Sequence, residues 1–95
     1  MGAETLPWID AAWLGTVADR VRDAADRWQL IVAEQLPSTV SKVFACADRD
    51  GHELILKIAP PETHPDREAA ALRAWDGVGA PRLMDFSAEL GALVM

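Results

Sequence analysis

The sequence predicts an α+β fold: a five-stranded antiparallel sheet, one helix between the third and fourth strands, and a further helix ahead of the sheet. Three observations predict it. Residues 10–28 carry apolar side chains at three- and four-residue spacing, as one face of a helix requires. Three strand-like runs follow, "LIVAEQL", "KVFACAD" and "LILKIA", separated by short turn-rich stretches. A second helical run from Asp66 to Trp75 then precedes two more strand-like runs, "RLMDFS" and "GALVM".

In the first helix the apolar set is Leu14, Val17, Ala18, Val21, Ala24, Ala25 and Trp28. Its other face can pair its own charges, Asp23 with Arg27 and Arg22 with Asp26. That polar face mixes both signs, so a membrane-surface helix is disfavoured. Gly15 is placed to split the helix, with Thr16 capping the second piece. "PSTVS" reads as a loop between the first two strands, and Asp50-Gly51 as a tight hairpin turn between the second and third. Strand, loop, strand, turn, strand makes an antiparallel meander. "PPETHP" interrupts it, with Pro65 suited to the first turn of the next helix. Gly77, Gly79 and Pro81 end that helix. The boundaries that follow are a helical extension over 1–28 and a sheet-bearing unit over 29–95.

At 95 residues the chain suits one domain or one lobe of a larger one. A formal net charge of -6, with no Lys/Arg stripe, argues against binding a nucleic-acid backbone. Cys46 is the single cysteine, so no internal disulfide forms, and a reducing, cytoplasmic setting is expected. The start "MGAETLPWIDAAW" lacks a basic region and a long apolar run, so no signal peptide is expected; Gly2 alone does not make a lipidation signal. No run approaches the ~20 apolar residues of a membrane span.

Lys57 is the residue that needs an explanation. In "LILKIA" the period of two puts Leu54, Leu56 and Ile58 on one face, with Ile55, Lys57 and Ala59 on the other. If the first face packs under the following helix, Lys57 points to the opposite side of the sheet, into a cleft if the sheet curls. An ammonium there needs an anion, since burying it alone costs several kcal/mol. Glu68 is the nearest carboxylate a helix could carry over the sheet, and a phosphate is the second candidate. An exposed lysine with its stem lying on neighbouring residues is the plainer alternative.

The constellation goes further than the single residue. Five antiparallel strands with a helix between the third and fourth is the layout of the small lobe of protein-kinase-like phosphotransferases. The stretch from Trp28 to Met95 resembles the aminoglycoside phosphotransferase superfamily, in particular its streptomycin 6-kinase and hydroxyurea-kinase-like branch. The resemblance is carried by "KVF", "DGHELILKIA", "EAAALRAWDGVGAPRLMDF" and "GALVM", and above all by the Glu68–Gly79 run. It implies that Lys57 holds the ATP phosphates and that Glu68 is its ion-pair partner. Ile55 and Val43 would touch the adenine, and Met95 would sit at the back of its pocket. "PSTVS" would cover the phosphates, with Ser38 and Ser41 as contacts. That loop has no glycine, where protein kinases use several to bring backbone close to phosphate.

A kinase also needs a catalytic aspartate and Mg2+ ligands from its large lobe. These are expected from sequence after the small lobe, so no catalytic residue and no metal ligand is assigned here. The expectation is an N-terminal lobe without its large lobe, inactive alone and a poor binder of ATP. The intact enzyme would pass the γ-phosphate of ATP to the hydroxyl of a small molecule. The alternative is a stand-alone, non-catalytic module of the same fold. In that case a dimer mate or a partner protein covers an exposed C-terminal strand, "GALVM". His52 and His64 lie in a turn and a loop and suggest no zinc site. Cys46 reads as a small buried hydrophobe. Trp8, Trp13, Trp28 and Trp75 read as packing residues, Trp75 under its helix, and the carboxylates show no hydrolase pairing.

Overall fold

The computed structural model describes residues 11–95; Trp8 and Asp10 lie outside them. The first helical run is two helices, α1 (Ala11–Leu14) and α2 (Val17–Trp28), broken at Gly15-Thr16. Thr16 does not cap α2 with its side chain. Its hydroxyl donates back to the Trp13 carbonyl at 2.7 Å and accepts from Arg20 Nε at 2.8 Å. Its near-helical backbone (φ -94°, ψ -6°) directs the oxygen at the preceding turn, not at the orphan N–H groups ahead. Val17, Val21, Ala24, Ala25 and Trp28 pack inward as expected, but Leu14 and Ala18 face solvent. The expected pairings on the outer face also change. Arg22 bonds Asp19, and Arg27 reaches off the helix altogether.

The sheet is five-stranded, and every neighbouring pair is antiparallel: β1 (Ile31–Leu36), β2 (Lys42–Ala47), β3 (Glu53–Ile58), β4 (Asp85–Ser87) and β5 (Ala92–Val94), in the order β1-β2-β3-β5-β4. The β2–β3 turn is tight because Asp48 Oδ1 accepts from both Asp50 N–H and His52 N–H, while Gly51 takes φ +84°. Two strand expectations are corrected. "RLMDFS" forms a strand only over Asp85–Ser87, with Met84 N–H bonding the Val94 carbonyl at 2.7 Å just ahead of it, because β5 offers just three residues to pair with. "GALVM" is not an exposed strand: β5 lies between β3 and β4, and Ala92, Leu93 and Val94 are all buried. The chain's own elements cover it.

The two sheet faces carry separate cores. Cys46, Leu56, Ile58, Ala92 and Val94 pack with Trp13 and Ala24 of the N-terminal helices. On the other face Leu93 packs with Ala69 and Leu72 of α3 (Pro65–Trp75). The helix under Leu56 is therefore α2, and α3 sits on the Lys57 side, the reverse of the sequence-based expectation. Periodicity gave the two faces of β3 correctly but could not say which helix covers which. Trp75 is also corrected. At about 100° per residue it lies about 60° beyond Leu72, on the flank of the Ala69–Leu72 seam, and it is 57% exposed.

β5 begins at a close approach. Gly91 has φ +63°, and a Cβ there would lie 2.8 Å from the Ala59 carbonyl oxygen. That contact is backbone to backbone, since Ala59 N–H donates to Gly91 O at 2.9 Å. Gly91→Ala is expected to cost about 1–3 kcal/mol from the strained conformation and the clash together. A urea melt reads the loss as a lower midpoint at unchanged slope.

Candidate functional site

Lys57 and Glu68 meet. Lys57 Nζ donates to Glu68 Oε2 at 2.8 Å, and the two side chains are 26% and 36% exposed. Two elements fix this. β3 delivers Lys57 one residue before the strand ends, and α3 carries Glu68 in its first turn. α3 reaches the right height because Ala69 and Leu72 rest on Leu93, which is paired directly opposite Lys57. The ammonium is held at a half-open position by one carboxylate, so it still has donors to offer.

The surroundings of Lys57 are graded. Val43 is its cross-strand partner on β2. Two residues back along β3, Ile55 pairs with Ala45, and it exchanges two backbone bonds with Met95 at 2.7 and 2.9 Å. Alternation puts Val43, Ala45, Ile55, Lys57 and Met95 on one face. Beyond Ile55 that face opens into a recess of about 490 Å³, lined by Ile31, Ala33, Ala45, Ala47 and Ile55 among others. Apolar ground thus lies about 6–7 Å along the strand from a fixed cation. The loop after Leu36 lies at the cation's end, since Leu36 pairs with Val43. In that loop Ser38 and Ser41 come together: the Ser38 hydroxyl donates to the Ser41 carbonyl and is occupied within the loop.

One cluster was not singled out from the sequence. Asp48, Asp50 and His52 place ligand-type atoms within 4.8 Å of one another in the β2–β3 turn. Their bonding accounts for them as turn architecture, with His52 Nδ1 lying 2.9 Å from Asp48 Oδ2. Bonds from the His52 N–H and ring hold the Asp48 carboxyl below its usual range, and the bond to Asp48 raises His52. His52, raised when folded, lends stability below its ordinary pKa and loses it as pH climbs past the folded value. Asp48, lowered when folded, lends stability above its ordinary pKa and loses it as pH falls through the folded value. The turn is thus tightest between the two. Asp48→Asn is expected to return the His52 midpoint toward the unperturbed imidazole value, read by NMR titration of its ring protons. Cys46 is buried, its Sγ lies 3.4 Å from the Leu54 carbonyl, and burial raises its pKa. An inert thiol is the consequence.

Two characterised proteins are similar to the chain. A hydroxyurea phosphotransferase of Kitasatospora aureofaciens is 35% identical over 77 residues, which is 80% of this chain and 23% of that protein. A streptomycin 6-kinase of Streptomyces glaucescens is 26% identical over 85 residues, 88% of this chain and 28% of that protein. The chain is a relative of these phosphotransferases. It spans about a quarter of their length. No family model and no solved structure matches it. The α+β arrangement of this phosphotransferase relative agrees with a kinase-type small lobe: five antiparallel strands, with α3 between β3 and the last two. Among the described residues no helix is long and apolar enough to cross a membrane.

Proposed function

We propose that this stretch is the ATP-binding lobe of a small-molecule phosphotransferase. The observation that carries the reading is the Lys57–Glu68 pair at 2.8 Å on an open sheet face, with apolar ground beside it. A nucleoside triphosphate has the same polarity, a flat apolar base joined to an anionic tail. Lys57 would neutralise the α- and β-phosphates, and Glu68 would keep the flexible lysine stem aimed at them. Val43, Ile55 and Met95 would line the base, and the 37–41 loop, with Ser38 and Ser41, would close over the phosphates. The ligands of Mg2+, the catalytic base and the site for the acceptor hydroxyl would come from sequence beyond these residues. The relatives' names include an antibiotic kinase, so an antibiotic hydroxyl is one acceptor class to test. The enzyme would work in the cytoplasm, where ATP is supplied.

Lysine-selective acylation tests the reading. The chain has two lysines, Lys42 and Lys57, and Lys42 pairs with Ile58 on the other face of the sheet. In the phosphotransferase that carries this lobe, Mg·ATP is expected to slow acylation of Lys57 at least ~10-fold at saturation, with Lys42 unchanged. Equal rates at Lys57 with and without nucleotide would rule the reading out.

A further inference from the structure

Helix α2 lies on the side of the sheet away from Lys57, yet the side-chain bonds it sends to the sheet converge on one place. Arg20 Nη1 donates to the Leu90 carbonyl at 2.7 Å and to the Glu89 carbonyl at 3.4 Å. Arg27 Nη1 donates to Ser87 Oγ at 2.8 Å, and its Nη2 to Glu89 Oε1 at 3.2 Å. Trp28 Nε1 donates to Asp85 Oδ2 at 2.9 Å. Among the described residues, these side-chain bonds from α2 to other elements all end between Asp85 and Leu90, on β4 and the turn into β5. Ser87 is buried, and its hydroxyl accepts from Arg27 and from Leu90 N–H. A three-residue edge strand paired on one side only has little stability of its own, so these donors, together with Phe86 packed on the other face, fix it.

What they fix matters on the opposite face. β5 hangs between β4 and β3, with Leu93 paired opposite both Phe86 and Lys57. Leu93 is also the seat of α3 and so sets the height of Glu68. A shift of the β4–β5 corner therefore moves both partners of the ion pair. We infer that Arg20 and Arg27 of α2 are positioning residues for the Lys57–Glu68 pair, acting through the β4–β5 corner from the far side of the sheet. This deepens the nucleotide reading and rests on it for its functional meaning: α2 is a brace of the phosphate-binding lysine.

The two lysines make the test simple. With 13C-labelled lysine, the ε-methylene signals of Lys42 and Lys57 are followed in the chain. Glu68→Gln supplies the signal of an unpaired Lys57. In an Arg20→Met, Arg27→Met double variant the Lys57 signal is expected to move at least half way to that reference, with Lys42 unmoved and helical circular dichroism retained. A Lys57 signal unchanged in the folded double variant overturns the inference. Should the double variant not fold, the single variants Arg20→Met and Arg27→Met are followed in the same way, and a Lys57 signal unmoved in both overturns the inference. In the phosphotransferase that carries this lobe, the double variant is expected to raise KM for ATP about 3–10-fold and leave KM for the acceptor unchanged. Equal rises in both would also count against a brace. Failure of the nucleotide reading shows elsewhere, as absent ATP protection of Lys57 in the unaltered protein.

Discussion

Lys57→Met in the proposed full-length phosphotransferase is expected to lower kcat/KM for ATP by about 10²–10³-fold. Methionine keeps much of the apolar stem and removes the charge. What is lost is the fixed cation, and with it the charge-assisted bonds to phosphate oxygens that the proposed role requires. The fold should survive. The pair is partly exposed at 26% and 36%, so its contribution to stability is at most ~1 kcal/mol. Glu68→Gln is expected to fall between wild type and Lys57→Met, because the ammonium remains but loses its guide. Lys57→Arg should not rescue, since a planar fork cannot take the place of a compact ammonium in a site shaped for one. Steady-state kinetics with ATP varied at saturating acceptor measure all three. An unaltered kcat/KM in folded Lys57→Met removes the nucleotide role.

Much of this site was legible in the sequence because strands and helices have different periods. Alternation in "LILKIA" set Lys57 apart from Leu56 and on the same side as Ile55, and the structure keeps that division. Pro65 and the apolar spacing that follows placed α3, and hence Glu68, within one residue of the observed start. The assignment of helices to faces was not legible. Leu54, Leu56 and Ile58 ask for cover, but α2 and α3 are both amphipathic, and nothing local says which one supplies it. The same gap explains Trp75. Its spacing matched Leu72, but whether a flank is covered depends on the width of the sheet beneath. "GALVM" looked like an unprotected edge because sequence order suggests neighbours, whereas β5 inserts between β3 and β4. The corner bonded by Arg20 and Arg27 joins residues some sixty to seventy positions apart, beyond the reach of any local pattern.

Two leucines separate the cores physically. Leu56 and Leu93 are both fully buried, Leu56 against the N-terminal helices and Leu93 against α3. Each cut to alanine is expected to cost about 2–5 kcal/mol, from the lost transfer energy and the cavity left behind. Small domains are stable by only ~5–15 kcal/mol in total, so either change takes a large share. Their effects on the site should differ. Leu56→Ala empties space on the α2 side and leaves the seat of α3 intact, so the Lys57–Glu68 pair stays closed in the folded fraction. Leu93→Ala removes the surface on which Ala69 and Leu72 rest, so α3 settles toward the sheet and Glu68 is drawn off Lys57. Urea melts are expected to show similar drops in midpoint for the two variants. The lysine ε-methylene signal should then tell them apart, near wild type for Leu56→Ala and near the Glu68→Gln position for Leu93→Ala. A Leu93→Ala chain that keeps a wild-type Lys57 signal would mean that α3 is held by something other than this seam.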